Sequence, residues 1–247
     1  MVNIYPVCDT VRWPSDEGVL GVVGIAPWAT LEFCQQLYAL TYVQKDWDYP
    51  RVIIDGNCKI PSRGRHLQLG ERDPSPFIQA TINELASMGA TVAVVPCNTA
   101  HILWPRWSVG TTIPVINIVD ATVASLSPGN GLVAVLGSSL LCASRLYSLK
   151  LMDKGRRTAT LTTSMQLTID QCISMLKTEK VLNEAMLTQL HDVVRQLTLQ
   201  GVTTFILACT ELSLLKEQRL WEGVDVVDSS ASLAQAALTA ISYRKLR

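Results

Sequence analysis

Short apolar runs alternate with longer amphipathic stretches along this chain of 247 residues. The apolar runs are β-branched and continuous, which is typical of strands covered on both faces of a parallel sheet. We predict strands at 18–24, 51–55, 91–96, 113–118, 131–137, 158–163, 203–208 and 224–227. Residues 76–88 begin with a proline and stop before Gly89, which predicts a helix. The alternation of strands and helices predicts an α/β fold with mostly parallel sheets flanked by helices.

The sequence also carries an internal duplication. Gly24 and Gly137 each end an apolar run and lie 113 residues apart. Cys97 and Cys209 each follow a later apolar run and lie 112 residues apart, and each comes eight residues after a glycine. A period this long exceeds that of solenoid repeats. It predicts two similar α/β lobes related by a pseudo-twofold axis, with an active site in the cleft between them.

The lobes need not be continuous in sequence. After each cysteine we expect another strand that ends in an aspartate, at Asp120 and Asp228. Because chain ends often lie close together, we expect the last strand and helix to return to the first lobe. The predicted first lobe is 1–117 plus 212–247, and the second is 118–211.

Composition excludes several classes of protein. Lys plus Arg is 21 and Asp plus Glu is 21, so the chain lacks the positive excess of a general nucleic-acid binder. The chain is 48% hydrophobic and 17% charged, which excludes disorder. No apolar run reaches the ~20 residues of a membrane span. The first residues carry acids and no apolar segment of the kind found in secretory signals, so we expect a cytoplasmic protein with no membrane or nucleic-acid partner.

The seven cysteines are odd in number and show no metal-binding spacing. This pattern predicts reduced thiols, no disulfide framework and no metal. Most free cysteines are small core residues, and that is our expectation for five of them: Cys8, Cys34, Cys58, Cys142 and Cys172. Cys97 and Cys209 differ because they recur in register, which a core residue has no reason to do.

Each of these two cysteines lies where a strand ends and a helix is expected to begin, with Asn98 or Thr99 as one cap and Thr210 as the other. The positive end of a helix favours thiolate over thiol. Two such groups on opposite faces of a substrate carbon could remove a proton and return one, which inverts the stereocentre. The same three side chains, with backbone N–H groups, are candidate donors to a substrate carboxylate.

The residues around the cysteines resemble a known family. The segments VVPCNTAH (94–101) and ILACTELSLL (206–215) resemble the two signature motifs of the aspartate/glutamate racemase superfamily. The likeness is closest to its aspartate racemase branch, since Glu211 stands where the glutamate racemase branch has a histidine. Segments 20–33 and 113–122 resemble the family's opening loop and its crossing into the second lobe.

The resemblance implies a racemase that uses neither pyridoxal phosphate nor a metal, in which one cysteine takes the α-proton and the other returns it. It also implies a small dicarboxylic amino-acid substrate and a homodimer. IPSR (60–63) resembles the family segment with a carboxylate-binding arginine, which is Arg63 here. SMLKTE (174–179) resembles the segment with a substrate-binding lysine, which is Lys177 here. For both cations, an ordinary solvated surface position is the alternative. Glu211 is a candidate contact for the substrate amine.

Two segments depart from the family pattern. The opening loop reads GIAP (24–27) where GGMGP is usual, and Ile25 and Ala26 resist the positive φ that glycine permits. After the strand 131–137, Leu141 and Arg145 stand where smaller or polar residues are common.

Three hypotheses follow from the sequence. The first is a cofactor-independent racemase of aspartate, with glutamate as a further substrate. The second is a member of the same superfamily that racemises another amino acid. The third is a catalytically silent protein that binds an amino acid in the same cleft.

Overall fold

The apolar runs form two parallel sheets that helices cover. A computed structural model describes residues 16–216 and 218–245 of the chain. The strands are β1 (Leu20–Val23), β2 (Val52–Asp55), β3 (Val92–Val94), β4 (Val115–Ile116), β5 (Leu132–Leu136), β6 (Val202–Leu207) and β7 (Asp225–Asp228). The α-helices are α1 (Pro27–Ala39), α2 (Arg63–Leu69), α3 (Ser75–Ser87), α4 (Trp104–Trp107), α5 (Ile118–Ala124), α6 (Ser139–Ala143), α7 (Leu146–Asp153), α8 (Thr163–Glu179), α9 (Glu184–Leu199) and α10 (Ser229–Ala240). Short 3₁₀ helices span Asp46–Asp48, Asn98–Leu103, Thr210–Leu215 and Arg219–Trp221. Within the described ranges, no helix combines the length and the apolar character that crossing a bilayer requires.

All strand pairs in both sheets are parallel. The first sheet has the order β2–β1–β3–β4, with Leu20 of β1 opposite Val52 on one side and Val92 on the other. The second sheet has the order β5–β6–β7, with Leu207 opposite Asp228. The predicted α/β fold with two parallel sheets flanked by helices is confirmed.

The last strand of each sheet leads into a helix that is capped by a side chain. The Asn117 side chain follows β4 and accepts the backbone N–H of Val119 (2.9 Å), which starts α5. The Asp228 side chain ends β7 and accepts the backbone N–H of Ser230 (2.8 Å), which starts α10. The prediction that Asp120 ends a strand is therefore wrong: this residue lies in the first turn of α5, because the chain turns into the helix at Asn117.

One predicted strand is missing from the sheets. Of residues 158–163, Thr158 alone forms a bridge, to Val133 of β5. The segment then leaves the sheet because the side chain of Thr162 accepts the N–H of Met165 (3.2 Å) and caps α8. A run of threonines is compatible with a strand in sequence, but here one of them serves as a helix cap.

The last strand also lies elsewhere than expected. We predicted that 212–247 returns to the first lobe, but β7 pairs with β6 and belongs to the second sheet. The strand follows β6 after only two 3₁₀ turns, which bring it alongside its neighbour in sequence. The helix after it, α10, packs on α1, α5 and β3. The lobe boundaries themselves stay a prediction.

One hydrophobic core is common to both sheets. It contains Val22 and Phe33 beside the first sheet, Val135 and Ile206 of the second sheet, and Leu233 of α10. Each sheet has a further core of its own on the opposite face. Because α5 and α10 pack together in the common core, the two sheets are held as one body on the side of these helices.

The turn between β1 and α1 depends on a glycine. The N–H of Gly24 donates to the carbonyl of Asp55 (2.7 Å), and a Cβ on Gly24 would lie 2.8 Å from that same oxygen. It would also lie 3.1 Å from Gly56 Cα and from Thr30 Cγ2. Backbone of β2 therefore closes the space that a side chain would need.

We expect Gly24→Ala to lower the free energy of unfolding by about 1–3 kcal/mol, the usual cost of overpacking, because the clash is with backbone atoms. Urea unfolding followed by circular dichroism measures this. Gly56→Ala is the matched control, since a Cβ there would have no atom within 4 Å. Equal stability of the two variants would contradict the prediction.

Candidate active site

Cys97 stands where β3 ends and the 3₁₀ helix Asn98–Leu103 begins. Its backbone is extended (φ −157°, ψ 106°), and its N–H donates to the carbonyl of Val95 (2.7 Å). The cysteine is itself the N-cap residue and makes no capping hydrogen bond with its side chain. The predicted caps Asn98 and Thr99 are wrong, because both lie inside the helix. The thiol is half-buried.

Cys209 occupies the same position after β6. Its backbone is extended (φ −141°, ψ 130°), and it is the N-cap of the 3₁₀ helix Thr210–Leu215. The predicted cap Thr210 is likewise inside the helix. Both cysteines are thus half-buried residues at the carboxyl end of an internal strand, where open parallel sheets bind ligands.

The two cysteine turns pack across the sheets. The 3₁₀ helix after Cys97 contacts α6, which follows β5 of the second sheet. The 3₁₀ helix after Cys209 contacts α1, which follows β1 of the first sheet. Each cysteine turn therefore packs against the helix that follows the first strand of the other sheet.

A buried asparagine connects the turn of Cys97 to the strand that precedes Cys209. Asn98 accepts a hydrogen bond from the hydroxyl of Tyr147 (2.6 Å) and donates one to the hydroxyl of Ser229 (2.9 Å). Ser229 in turn donates to the carbonyl of Leu207 in β6 (2.8 Å). Asn98 is 3% exposed, so these bonds replace water contacts that its amide has lost. Its predicted contact with substrate stays a prediction.

A carboxylate lies beside the second thiol. Cys209 Sγ donates to Glu211 Oε2 (2.9 Å), and the hydroxyl of Thr210 donates to the same oxygen (3.3 Å). Burial raises the pKa of the Cys209 thiol well above its ordinary value, the charge of Glu211 raises it further, and Lys177 opposes the shift. Burial and the neighbouring carboxylate both act against a thiolate at Cys209, contrary to the expectation from the helix end.

A neutral imidazole supports the first cysteine. His101 is fully buried, stacks on Trp104 at 5.4 Å and meets Trp107 edge-on at 5.3 Å. Burial lowers its pKa to about 4, so the ring is neutral near pH 7. Its Nδ1 lies 2.9 Å from the carbonyl oxygen of Cys97, which makes Nδ1 the protonated nitrogen that donates. His101 therefore fixes the turn of Cys97.

Arg63 lies at the boundary between the two halves of the molecule. It is the first residue of α2, and the next residue, Gly64, approaches Leu140 of α6: a Cβ on Gly64 would lie 3.8 Å from the Leu140 side chain. The α2 helix also contacts the 3₁₀ helix after Cys97. Arg63 Nη1 donates to the carbonyl of Pro61 (3.3 Å), while its buried Nε has no hydrogen-bond partner. With one hydrogen bond made, the guanidinium of Arg63 keeps other N–H groups that can donate to an anion.

Lys177 is exposed in the last turn of α8, where its charge acts on the Cys209 thiol. Nearby, a cavity of about 330 Å³ lies between α1 and the turn of Cys209. Lys180, which the sequence analysis did not single out, lines this cavity and places its Nζ 5.0 Å from the centre of the Trp28 ring. The cavity is lined by Trp28, Ala29, Leu31, Glu32, Gln35, Leu176, Lys180, Thr210, Glu211 and Leu214.

The altered opening loop is unstrained. Ile25 is buried in the core of the first sheet, and Ala26 has an extended backbone (φ −134°, ψ 122°). Neither residue has a positive φ. The expected conflict with the family's glycine pattern is therefore absent: Gly24 makes the close approach, and Ile25 contributes to the core.

The remaining cysteines divide into two groups. Cys34 and Cys172 are buried in the core, as predicted. Cys58 is exposed and Cys142 is half-buried, so the prediction of a core role is wrong for Cys58 and incomplete for Cys142. Cys8 lies outside the described residues. In the described part of the chain, no group of three or more His, Cys, Asp or Glu residues is arranged to hold a metal ion.

Tyr147 and Ser229 are site residues that sequence reasoning missed. Their contacts with Asn98 span 49 and 131 positions along the chain, so no local spacing indicates them. One sequence signal could have indicated Ser229. Serines follow β7 directly and begin α10, just as α5 begins after β4 in the first sheet.

These features agree with a known class of protein. The chain belongs to the Asp/Glu/Hydantoin racemase family, whose model matches residues 22–237. This confirms the resemblance that the cysteine motifs indicated. The solved structure of Picrophilus torridus aspartate racemase is similar, with a TM-score of 0.82 and 24% identity over 93% of this chain and 96% of that one.

Two sequence relatives carry different names. The broad specificity amino-acid racemase RacX of Bacillus subtilis is 24% identical over 217 residues, which cover 87% of this chain and 91% of that protein. The glutamate racemase of Shewanella woodyi is 27% identical over 205 residues, which cover 77% of this chain and 74% of that protein. The family is therefore established, and the names of these relatives differ in substrate.

We expect Glu211→Gln to speed alkylation of Cys209 by iodoacetamide at pH 7.5 by about three- to tenfold. Removal of the carboxylate charge lowers the raised thiol pKa, and each pKa unit changes the thiolate fraction tenfold below that pKa. Peptide mass spectrometry reads the rate at each cysteine. Glu32→Gln is the control, because Glu32 lines the same cavity and hydrogen-bonds Gln36 rather than a thiol. An unchanged Cys209 rate in Glu211→Gln would contradict the assigned electrostatics.

Proposed function

We propose that this protein is a cofactor-independent amino-acid racemase that interconverts L- and D-aspartate, with Cys97 and Cys209 as its two acid/base groups. The observation that carries the proposal is the recurrence of both cysteines at matching strand ends, in turns tied by Asn98, Ser229 and Leu207. Membership of the Asp/Glu/Hydantoin racemase family supports the reaction class.

The proposed reaction moves one proton off the substrate and another onto it. The thiolate of one cysteine removes the proton from Cα, and the thiol of the other donates its proton to the opposite face. The C–H bond on one side breaks and a C–H bond on the other side forms, so the product is the mirror image. This geometry requires about 3.5 Å from each sulfur to Cα, and hence about 7 Å between the sulfurs.

The surroundings of the cysteines suggest which thiol is protonated before substrate binds. Glu211 accepts a hydrogen bond from Cys209, and the raised thiol pKa keeps the proton there. Cys97 has Thr99, which carries no charge, at the matching position. We therefore assign Cys97 as the base and Cys209 as the acid for the enantiomer that the resting enzyme accepts.

The substrate carboxylates are assigned to cations and to hydrogen-bond donors. The unpartnered Nε of Arg63 supports a contact with the side-chain carboxylate, and Lys177 adds positive charge near Cys209. Thr99 and Thr210, each one or two residues from a cysteine, are the proposed donors to the α-carboxylate, where charge develops as the α-proton leaves. For this contact the hydroxyl of Thr210 turns from Glu211 to the substrate. Glu211 is the proposed contact for the ammonium group.

A second candidate is racemisation of another amino acid. The cavity beside Glu211 has apolar walls from α1 and from Leu176 of α8, which would suit a side chain without a carboxylate. The name of the Bacillus subtilis relative, a broad specificity racemase, favours the same reading. Glutamate is the third substrate to test, given the named relative from Shewanella woodyi.

We expect Cys97→Ser and Cys209→Ser each to lower racemisation by at least about 100-fold, because a serine hydroxyl is a far weaker acid than a thiol and does not form the anion that would take the α-proton near pH 7. Chiral chromatography of L- and D-aspartate reactions measures the rates. Cys58→Ser is the control, because that exposed thiol lies outside both cysteine turns. Parent activity in either of the first two variants would refute the two-cysteine mechanism.

Proton exchange in D₂O separates the substrate hypotheses. We expect the α-proton of aspartate to be replaced by deuterium, as seen by NMR, with both enantiomers accumulating. A panel with glutamate and with neutral and basic amino acids is run beside it. Exchange with another amino acid and none with aspartate would establish the second candidate, and no exchange with any would leave a silent binding protein.

A further inference from the structure

A second cavity lies apart from the cysteine turns. It has a volume of about 690 Å³ and opens beside the outer edge of β5. It forms because the ladder between β5 and the following segment stops after Val133, which bonds to Arg157 and Ala159. Beyond that point, the segment 158–163 diverges and leaves a space between α6, α7 and α8. Neither Cys97 nor Cys209 lines it.

Two side chains of opposite charge line this cavity. Among the described residues that line it, Arg145 and Asp170 carry the charges, one of each sign. The guanidinium of Arg145 has no ion pair or hydrogen bond with the described residues, and its backbone lies in the left-handed region (φ 59°). A non-glycine residue in this conformation is strained, and such strain is concentrated at functional positions. Asp170 accepts the N–H of Ser139 (2.9 Å) with one oxygen only.

Most of the remaining lining is apolar or carries hydroxyl groups. Apolar side chains come from Leu141, Leu161 and Leu167, and hydroxyls come from Ser139 and Thr160 among others. A ligand that matches these walls carries one positive group, one negative group and an apolar part.

We propose that this cavity is a second binding site, which takes a zwitterionic amino acid with an apolar side chain. Its carboxylate would lie on Arg145 and its ammonium on the unoccupied oxygen of Asp170, with the side chain against the leucines. The cavity is roomy for such a ligand, so ordered water would complete the hydroxyl contacts.

The walls of the cavity reach both cysteine turns. Tyr147 lines the cavity, and its hydroxyl donates to Asn98 (2.6 Å), the residue after Cys97. Gln166, on another wall, donates to the carbonyl of Gly137 (2.9 Å). Gly137 packs against Ala208, the residue before Cys209, because a Cβ on Gly137 would lie 3.3 Å from the carbonyl oxygen of Ala208. A ligand in the cavity is therefore placed to regulate the cysteines, and this regulatory part rests on the proposed function.

Thermal unfolding of the full chain with L-leucine, L-methionine or L-phenylalanine tests binding. At about ten times Kd, we expect at least one probe to raise the Tm of the parent protein by about 3–6 °C. Arg145→Ala and Asp170→Asn are expected to lose the shift, while Lys154→Ala, an exposed cation outside the cavity lining, keeps it. No shift with any probe, or an equal shift in Arg145→Ala, would overturn the site, because binding in the cysteine cleft would survive that substitution.

The rate of Cys97 alkylation by iodoacetamide tests the coupling without requiring turnover. We expect the bound probe to change this rate at least twofold in the parent protein, and Tyr147→Phe to keep the Tm shift while losing the change in rate. A Tm shift with an unchanged Cys97 rate would overturn regulation and leave the binding site. A failure of racemisation in the chiral assay would overturn the proposed function and leave both of these measurements interpretable.

Discussion

The hydrogen bonds of Asn98 set the relation between the two halves of the candidate site. Its amide is buried, and it is satisfied on one side by Tyr147 and on the other by Ser229, which is bound to the carbonyl of Leu207. A buried polar group without its partner costs about 1–3 kcal/mol, so these bonds favour the observed arrangement of the three side chains. Since Asn98 follows Cys97 and Leu207 precedes Cys209 by two residues, the same bonds determine where one cysteine turn lies relative to the other.

The duplication gives two similar turns with different electrostatics. Two residues after the cysteine, one turn has Thr99 and the other has Glu211, which bonds to its own cysteine. Four residues after the cysteine, His101 holds the carbonyl of Cys97, whereas Ser213 donates to Asp228 (2.9 Å) at the start of α10. Similar backbone geometry therefore places the two thiols beside different neighbours, and the carboxylate of Glu211 together with burial raises the pKa of Cys209.

The common core limits how far the two sheets can separate. Residues of β1, α1, β5, β6 and α10 pack into one cluster, so opening the molecule along that side would expose apolar surface at about 25 cal/mol per Å². The half-buried Cys97 and Cys209 lie outside this cluster, at the ends of internal strands.

The sequence by itself determined the α/β class, nearly all strands, the duplication and the two cysteine turns, because these depend on local patterns and on positions that recur along the chain. It also identified the family through the residues next to each cysteine. The predicted strand at 158–163 was wrong, because the local propensity of threonine allows both a strand and a helix cap. In the structure Thr162 caps α8.

Only the tertiary structure decided the partners of the site residues. The contact of Asn98 with Tyr147 and Ser229 and the burial that raises the pKa of Cys209 arise between segments far apart in sequence. The sheet that β7 joins is decided by its pairing with β6. Hydrogen bonding and desolvation depend on distance in space and on the exclusion of water. A linear pattern reports those quantities only where neighbours in sequence are also neighbours in the fold.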